Sequence, residues 1–274
     1  MIKKELSMYF NEKIAREFAV HEQNEKNFRV AAIVDRIIIY NIKGLQKSLY
    51  AADLGAGAHP DRYQSFFKAL LINKGHIDWV DTSPIMLKLA KEYISKSEHK
   101  ERLEIISFIK EDILNYLDNL PDAKLDVAIM KYTFDHLADI EKLFRLLSKK
   151  LKKKGVLVST MTTLSPELKS ISTNARFFYK GKEFPVNETR TLKDGEDFTI
   201  KFFKISGKPE LGYIEGGETT KYYHSPEKIK ELANKYGFKI FLGDWKDYLP
   251  KKEQDNETMN QDVLILVKRQ SNNL

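Results

Sequence analysis

The stretch LYAADLGAGA, residues 49–58, decides the fold of this chain. An apolar run ends at Asp53 and leads directly into a turn that contains Gly55 and Gly57. Glycine lets the backbone turn sharply and approach a ligand without an intervening side chain. We interpret the stretch as a buried strand followed by a ligand-binding turn.

Strand-like and helix-like segments alternate from about residue 45 to 161. The predicted strands are residues 49–54, 76–80, 104–109, 124–130 and 155–161. The predicted helices are residues 60–73, 84–97, 112–119 and 139–152. This alternation is typical of βαβ units that form a parallel sheet.

The composition excludes several classes of protein. The 274 residues include no cysteine, which excludes disulfides, zinc–thiolate sites, iron–sulfur clusters and cysteine nucleophiles, and we predict no metal site. The amino-terminal residues lack a signal peptide's apolar core, and no apolar run approaches membrane-spanning length. We therefore expect a cytoplasmic protein with no membrane partner.

The net charge of +7 and the pI of about 9.1 invite comparison with nucleic-acid-binding proteins. Lysine dominates the basic residues and alternates with Glu and Asp along most of the chain. Nucleic-acid readers favour arginine for its planar fork of donors. A solvated charged surface is the better interpretation, and the pattern argues against a nucleic-acid partner.

The chain divides into three predicted parts. Residues 1–44 carry two helices, which we interpret as an amino-terminal helical lid. Residues 45–162 and 224–274 form the predicted α/β core, which ends in a helix after Ser225 and two strands near 238–242 and 262–267. Residues 163–223, here called the cap, carry turn dipeptides and strand-like runs and are predicted to form a β-rich insertion.

Four sequence blocks carry a family resemblance. They are the Asp53-x-Gly55-x-Gly57 loop, the strand and helix start around Asp81, the segment ending in Asp112-Ile113, and the run from Ala128 to His136 followed by strand five. Together they resemble the class I S-adenosylmethionine-dependent methyltransferases. The resemblance implies a doubly wound, Rossmann-like α/β fold. Its seven-stranded sheet would be mostly parallel with an antiparallel last strand, with helices on both faces and the β-rich cap inserted.

The same resemblance implies S-adenosylmethionine as the cofactor and assigns residues to it. Asp81, 24 residues after Gly57, would accept hydrogen bonds from both ribose hydroxyls, and Asp112 would meet the adenine amino group. The full predicted cofactor set is Asp53, Gly55, Ala56, Gly57, Asp81, Thr82, Met86, Asp112, Ile113 and Lys131. Structural alternatives stay open: Asp81 and Asp112 could belong to helix starts, and Met86 and Ile113 could be core residues.

The loop departs from the family at one position. The family often has a third glycine where this chain has His59, followed by Pro60. His59 could contact the cofactor carboxylate, or the loop could splay. Pro60 also stands where a dinucleotide-binding Gly-x-Gly-x-x-Gly motif requires glycine, which argues against a nicotinamide cofactor.

Methyl transfer requires an acceptor atom in line with the sulfonium and, for a hydroxyl acceptor, a base. The candidate catalytic residues are His136 and His224, and packing is the alternative role for each. The predicted acceptor-binding aromatics are Tyr9 and Phe18 of the lid and Tyr222 and Tyr223 of the cap. Some cap aromatics must form the cap's own core.

We expect methyl transfer to nitrogen or oxygen of a small-molecule acceptor. One alternative is an RNA or protein methyltransferase, which only the charge favours. Another is a non-catalytic protein that binds S-adenosylmethionine. The cap could also serve as a homodimer interface, because exposed apolar strands often pair with a second copy.

Overall fold

The fold is known from a computed structural model. It describes residues 11–21, 23, 25–43, 48–161, 165–169, 175–184, 188–205, 207–248, 251 and 262–269. The predicted acceptor residue Tyr9 lies outside these ranges.

The elements follow the predicted alternation. The helices are α1 Glu12–His21, α2 Glu25–Ile42, α3 Gln64–Ile72, α4 Pro84–Lys96, α5 Ile113–Asn119, α6 Ile140–Lys150 and α7 Pro226–Lys235. The core strands are β1 Tyr50–Leu54, β2 His76–Asp81, β3 Ile106–Lys110, β4 Leu125–Lys131, β5 Leu151–Met161, β12 Phe238–Asp244 and β13 Asp262–Lys268. The cap strands are β6 Glu167–Lys169, β7 Ala175–Tyr179, β8 Lys182–Glu183, β9 Thr189–Thr191, β10 Asp197–Phe203 and β11 Tyr213–Tyr222.

The core sheet has seven strands in the order β12-β13-β5-β4-β1-β2-β3. β1 pairs in parallel with both β2 and β4, whereas β13 is antiparallel to both of its neighbours. The order reverses beside β1, so β1 and β4 border the crevice in which open α/β sheets bind ligands. The predicted Rossmann-like fold is confirmed.

Two apolar layers cover the sheet. Helices α2, α3 and α4 pack on one face, and α5, α6 and α7 pack on the other. Helix α2 buries Val30, Val34 and Ile38 in the first layer because these residues recur at helical spacing along one side. Helix α1, the other described helix of the predicted lid, packs against Ala58 of the glycine loop.

Two boundaries of the α/β core differ from the sequence prediction by more than two residues. The helix predicted from residue 60 starts as a 3-10 turn, Pro60–Arg62, and the α-helix begins at Gln64. Strand β5 begins at Leu151 rather than 155, because the backbone passes through a left-handed residue at Lys154 and continues extended. Neither change moves the carboxyl ends of the strands.

The cap forms two small antiparallel sheets, β11-β10-β7-β8 and β6-β9. The pair Gly216-Gly217, read from the sequence as a strand breaker, lies inside β11. The register between β10 and β11 shifts there, so four residues of β11 bulge opposite Phe202. The bulge receives α1: a Cβ added to Gly216 would lie 3.1 Å from the Cδ1 atom of Ile14.

Helix length and hydropathy give no candidate membrane span within the described ranges.

Candidate active site

The glycine loop follows β1 and turns through two left-handed residues. The φ angle is 76° at Gly55 and 65° at Gly57, values that glycine adopts without the cost that a Cβ imposes. The amides of Gly55 and Ala56 both donate to the Val80 carbonyl of β2. Space also requires glycine, because a Cβ at Gly55 would lie 2.3 Å from the Cγ2 atom of Thr133.

Asp81, at the end of β2, fixes the second half of this loop. Its Oδ2 atom accepts a 2.9 Å hydrogen bond from the Gly57 amide, and its Oδ1 atom accepts a 2.8 Å bond from the Ser83 amide. Ser83, rather than Asp81, caps α4 by accepting from the Met86 amide. The carboxylate thus lies beside the loop, at the edge where the resemblance places the ribose.

Asp53 is a buried carboxyl directly beneath the loop. Burial raises its pKa to about 7, against the lowering effect of the Lys131 charge. The Tyr63 hydroxyl lies nearby but outside normal hydrogen-bond geometry, and neither Asp53 oxygen has a hydrogen bond of normal geometry within the described ranges. A buried carboxyl of this kind is suited to receive a donor from a ligand.

The other predicted cofactor residues line the same edge of the sheet. Asp112 caps α5 through Oδ1, which accepts from the Leu114 and Asn115 amides, and Ile113 beside it is buried. Thr82 is partly exposed between Asp81 and Ser83. Met86 is buried against α1, and the Lys131 ammonium lies 4.6 Å from the Tyr132 ring centroid. Their contacts with a cofactor stay predictions.

His59 links the loop to α1. Its Nε2 atom lies 2.8 Å from the Ala19 carbonyl, and its ring packs edge-on against Tyr93. The side chain is 4% exposed, which leaves it little freedom to turn elsewhere. The residue that stands where the family often has glycine therefore attaches α1 to the glycine loop.

Helix α1 also contacts the cap. The ring of Phe18 meets that of Phe202 edge to face, with centroids 5.2 Å apart. Phe18 belongs to an apolar cluster with Ala58 of the loop and Met86 of α4. The helix therefore joins the glycine loop to the cap.

The two candidate catalytic histidines both bind backbone carbonyls. The Nδ1 atom of His136 lies 3.0 Å from the Thr220 carbonyl, and Nε2 of His224 lies 2.8 Å from that of Leu137. Burial lowers the pKa of His136 to about 3 and also lowers the pKa of His224. A neutral ring that donates to a carbonyl leaves its other nitrogen as the basic one.

The two cap tyrosines differ in their surroundings. Tyr223 is 4% exposed and packs in the cap's apolar cluster with Phe177 and Phe198, so its ring forms part of the cap core. Tyr222 is partly buried at the end of β11, paired with Asp197. An acceptor contact by either residue stays a prediction.

A methyltransferase-domain family model matches residues 46–235, more than half of the chain. The match covers the glycine loop, the strands that carry Asp81 and Lys131, and the cap. This chain belongs to the S-adenosylmethionine-dependent methyltransferase family. No curated protein matches it significantly.

Solved methyltransferase structures share the fold at low sequence identity. Phosphoethanolamine N-methyltransferase 2 of Haemonchus contortus is 14% identical with a TM-score of 0.56, covering 98% of this chain and 61% of that one. The DszA carbon methyltransferase is 12% identical with a TM-score of 0.54, covering 91% and 56%. An S-adenosylmethionine-dependent methyltransferase from Mesorhizobium loti is 14% identical with a TM-score of 0.50, covering 85% and 96%. This chain thus spans about three fifths of the nematode enzyme's length.

The candidate site contains two residues that sequence reasoning did not select. Thr133 packs on Gly55, and Lys221 reaches from the cap to the Tyr132 carbonyl. Thr133 lies in the sequence block around Lys131 and could have been found from it. The role of Lys221 depends on a long-range ion pair, which leaves no local signal in the sequence.

Proposed function

We propose that this chain transfers a methyl group from S-adenosylmethionine to a nitrogen or oxygen atom of a small molecule. The observation that carries the proposal is the contact of α1 with both the glycine loop and the cap. The sheet's carboxyl edge is thereby covered on the side of the loop. A covered site excludes water and suits a small acceptor better than a folded RNA or protein.

Residues on the crevice fit the cofactor. Asp81 offers carboxylate lone pairs toward the ribose position, and its own bonds to the Gly57 and Ser83 amides hold it there. The buried Asp53 carboxyl suits the ammonium group of the methionine part, and Asp112 suits the adenine amino group. Bound S-adenosylmethionine supplies an electrophilic methyl group, and the protein positions the acceptor in line with the carbon–sulfur bond.

The histidines favour nitrogen over oxygen as the attacking atom. With its pKa lowered to about 3, His136 is neutral but a weak base. A phenol or alcohol must lose a proton to react, whereas an amine that binds neutral already has its lone pair. The nematode relative is named as an N-methyltransferase, which agrees with this preference, although the DszA relative is named as a carbon methyltransferase.

Label transfer from methyl-tritiated S-adenosylmethionine tests the acceptor class. The protein is incubated in parallel with small-molecule amines, small-molecule phenols and alcohols, total RNA and a protein extract. The proposal predicts label in the amine set above all others. Label confined to RNA or protein would overturn it, and cofactor binding without transfer in any fraction would support the non-catalytic alternative.

A further inference from the structure

The turn after β4 contains a residue in an unfavourable backbone conformation. Tyr132 has a φ angle of 60°, in the left-handed region where side chains with a Cβ are strained. Such conformations persist only where surrounding contacts hold them, and they concentrate at functional sites. The Tyr132 amide donates to the Thr160 hydroxyl of β5, which holds one side of the residue.

A cap lysine holds the other side. Lys221 of β11 donates from its ammonium group to the Tyr132 carbonyl, at 3.0 Å, and to Oδ1 of Asp135, at 2.7 Å. The side chains of Lys221 and Asp135 are 5% and 7% exposed, so the ion pair is almost fully buried. One ammonium group therefore binds the turn at two points, residues 132 and 135.

Thr133, the residue that follows Tyr132, packs against the glycine loop. The Thr133 hydroxyl lies within hydrogen-bond distance of two carbonyls, those of Lys131 at 3.1 Å and Gly55 at 3.3 Å. Its methyl group occupies the space where a Cβ of Gly55 would lie. A change of backbone conformation at Tyr132 would therefore move Thr133 off Gly55 and release the loop.

We propose that Lys221 is a positioning residue that couples the cap to the cofactor site. By fixing the Tyr132 carbonyl it keeps Thr133 against Gly55, so the glycine loop is held in its cofactor-binding shape. The inference rests on the proposed function in one respect, that the loop binds S-adenosylmethionine. It adds that the cap, placed by sequence on the acceptor side, also sets cofactor affinity.

An ion pair that only stabilises the fold would not change cofactor affinity when both of its partners are replaced. Replacing both partners of a buried pair by neutral residues often leaves stability unchanged, whereas removing one partner leaves an uncompensated charge. The double variant Lys221→Met/Asp135→Asn therefore removes the bond to Tyr132 without leaving a buried charge. If the pair only stabilises the fold, the folded double variant binds cofactor like wild type.

The experiment is calorimetric titration of S-adenosylhomocysteine into four proteins, well below their melting temperatures. They are wild type, the double variant, Lys221→Arg and the control Lys201→Met. Arginine can donate to both the carbonyl and the carboxylate. Lys201 forms a partly exposed ion pair with Glu218 on the same cap sheet, 3.1 Å apart, away from the turn.

We expect the double variant to raise the dissociation constant about tenfold, Lys221→Arg to stay within about threefold, and the control to match wild type. A folded double variant with wild-type affinity overturns the role of Lys221 and leaves the proposed function intact. Wild type without measurable binding contradicts both. If the double variant does not fold, Thr133→Ala takes its place, because it removes the hydroxyl and methyl groups that contact Gly55 while leaving the ion pair intact. Unchanged affinity there overturns the proposal, and weakened affinity with a folded protein supports it.

Discussion

The backbone amide of Gly57 and the carboxylate of Asp81 are joined by a 2.9 Å hydrogen bond that ties the glycine loop to the end of β2. The second oxygen of Asp81 is occupied by the Ser83 amide. One side chain thus sets the positions of the loop and of the start of α4. The same carboxylate is the predicted ribose acceptor, so its role in shaping the site and its role in binding are inseparable.

Asp81→Asn should weaken S-adenosylhomocysteine binding nearly as much as Asp81→Ala. An amide group has only one acceptor oxygen, so one of the two backbone donors would face an NH₂ group. We expect both variants to lose about 1.5–3 kcal/mol of binding free energy, the range for hydrogen bonds to a charged group. Calorimetry measures the loss. The variant Asp112→Asn, titrated in the same way, tests the carboxylate that is predicted to meet the adenine amino group. Folded Asp81 variants with wild-type affinity would show that the ribose lies elsewhere.

The sequence predicts the core of this protein because its signals are local. The apolar run into Gly55 and Gly57 and the acidic end of β2 at Asp81 each depend on a few neighbouring residues. The order of strands then follows from the rules of parallel sheets. These features are enough to predict at which edge of the sheet the cofactor binds.

The contacts of the cap with the rest of the protein follow from long-range packing and could not be derived in this way. The Gly216-Gly217 pair resembles a breaker, but its bulge is filled by Ile14, a residue some 200 positions earlier. The pairing of Lys221 with Asp135 spans 86 residues and likewise has no local signature. His59 was identified as a departure from the family, but its contact with Ala19 required the structure.

Phe18→Ala and Phe202→Ala should each speed the dissociation of S-adenosylhomocysteine, by about tenfold. Both changes break the same edge-to-face contact that holds α1 to the cap, so the double variant should be little worse than either single one. Stopped-flow fluorescence measures the rates. Phe241→Ala, which removes an exposed ring on β12, is the control. Additive effects, or no effect, would show that this contact does not close the site.

The buried Asp53 gives the protein a specific pH dependence. Its pKa in the folded state, about 7, lies above the usual value of 3.8, so between these values the folded state holds more protons than the unfolded state. The contribution of Asp53 to the free energy of unfolding therefore falls as the pH rises through this window. We compare the free energy of unfolding of Asp53→Asn with that of wild type by urea denaturation of the cofactor-free proteins. The value for Asp53→Asn, relative to wild type, should rise by more than about 1 kcal/mol between pH 5 and pH 8. A difference between the two proteins that does not change with pH would contradict the raised pKa.

Asp78 supports the opposite end of the sheet by accepting from the buried Tyr116 hydroxyl and from the partly buried Tyr50 hydroxyl. Its Oδ2 atom accepts 2.6 Å and 2.7 Å hydrogen bonds from Tyr116 and Tyr50. Tyr116→Phe should cost about 1.5–3 kcal/mol of unfolding free energy, because a buried carboxylate loses a donor. Tyr236→Phe removes a comparable bond to the exposed Glu141 and should be close to wild type in the same urea titrations. Equal effects of the two changes would contradict the special role of the buried carboxylate.

The central claim is that the two-glycine loop binds S-adenosylmethionine. Titration of the wild-type protein with S-adenosylmethionine, S-adenosylhomocysteine and NAD in one calorimeter tests it most directly. We expect saturable one-to-one binding of the first two and negligible heat with NAD, because Pro60 stands where a dinucleotide motif needs glycine. Absence of S-adenosylhomocysteine binding, or tighter binding of NAD, would contradict it.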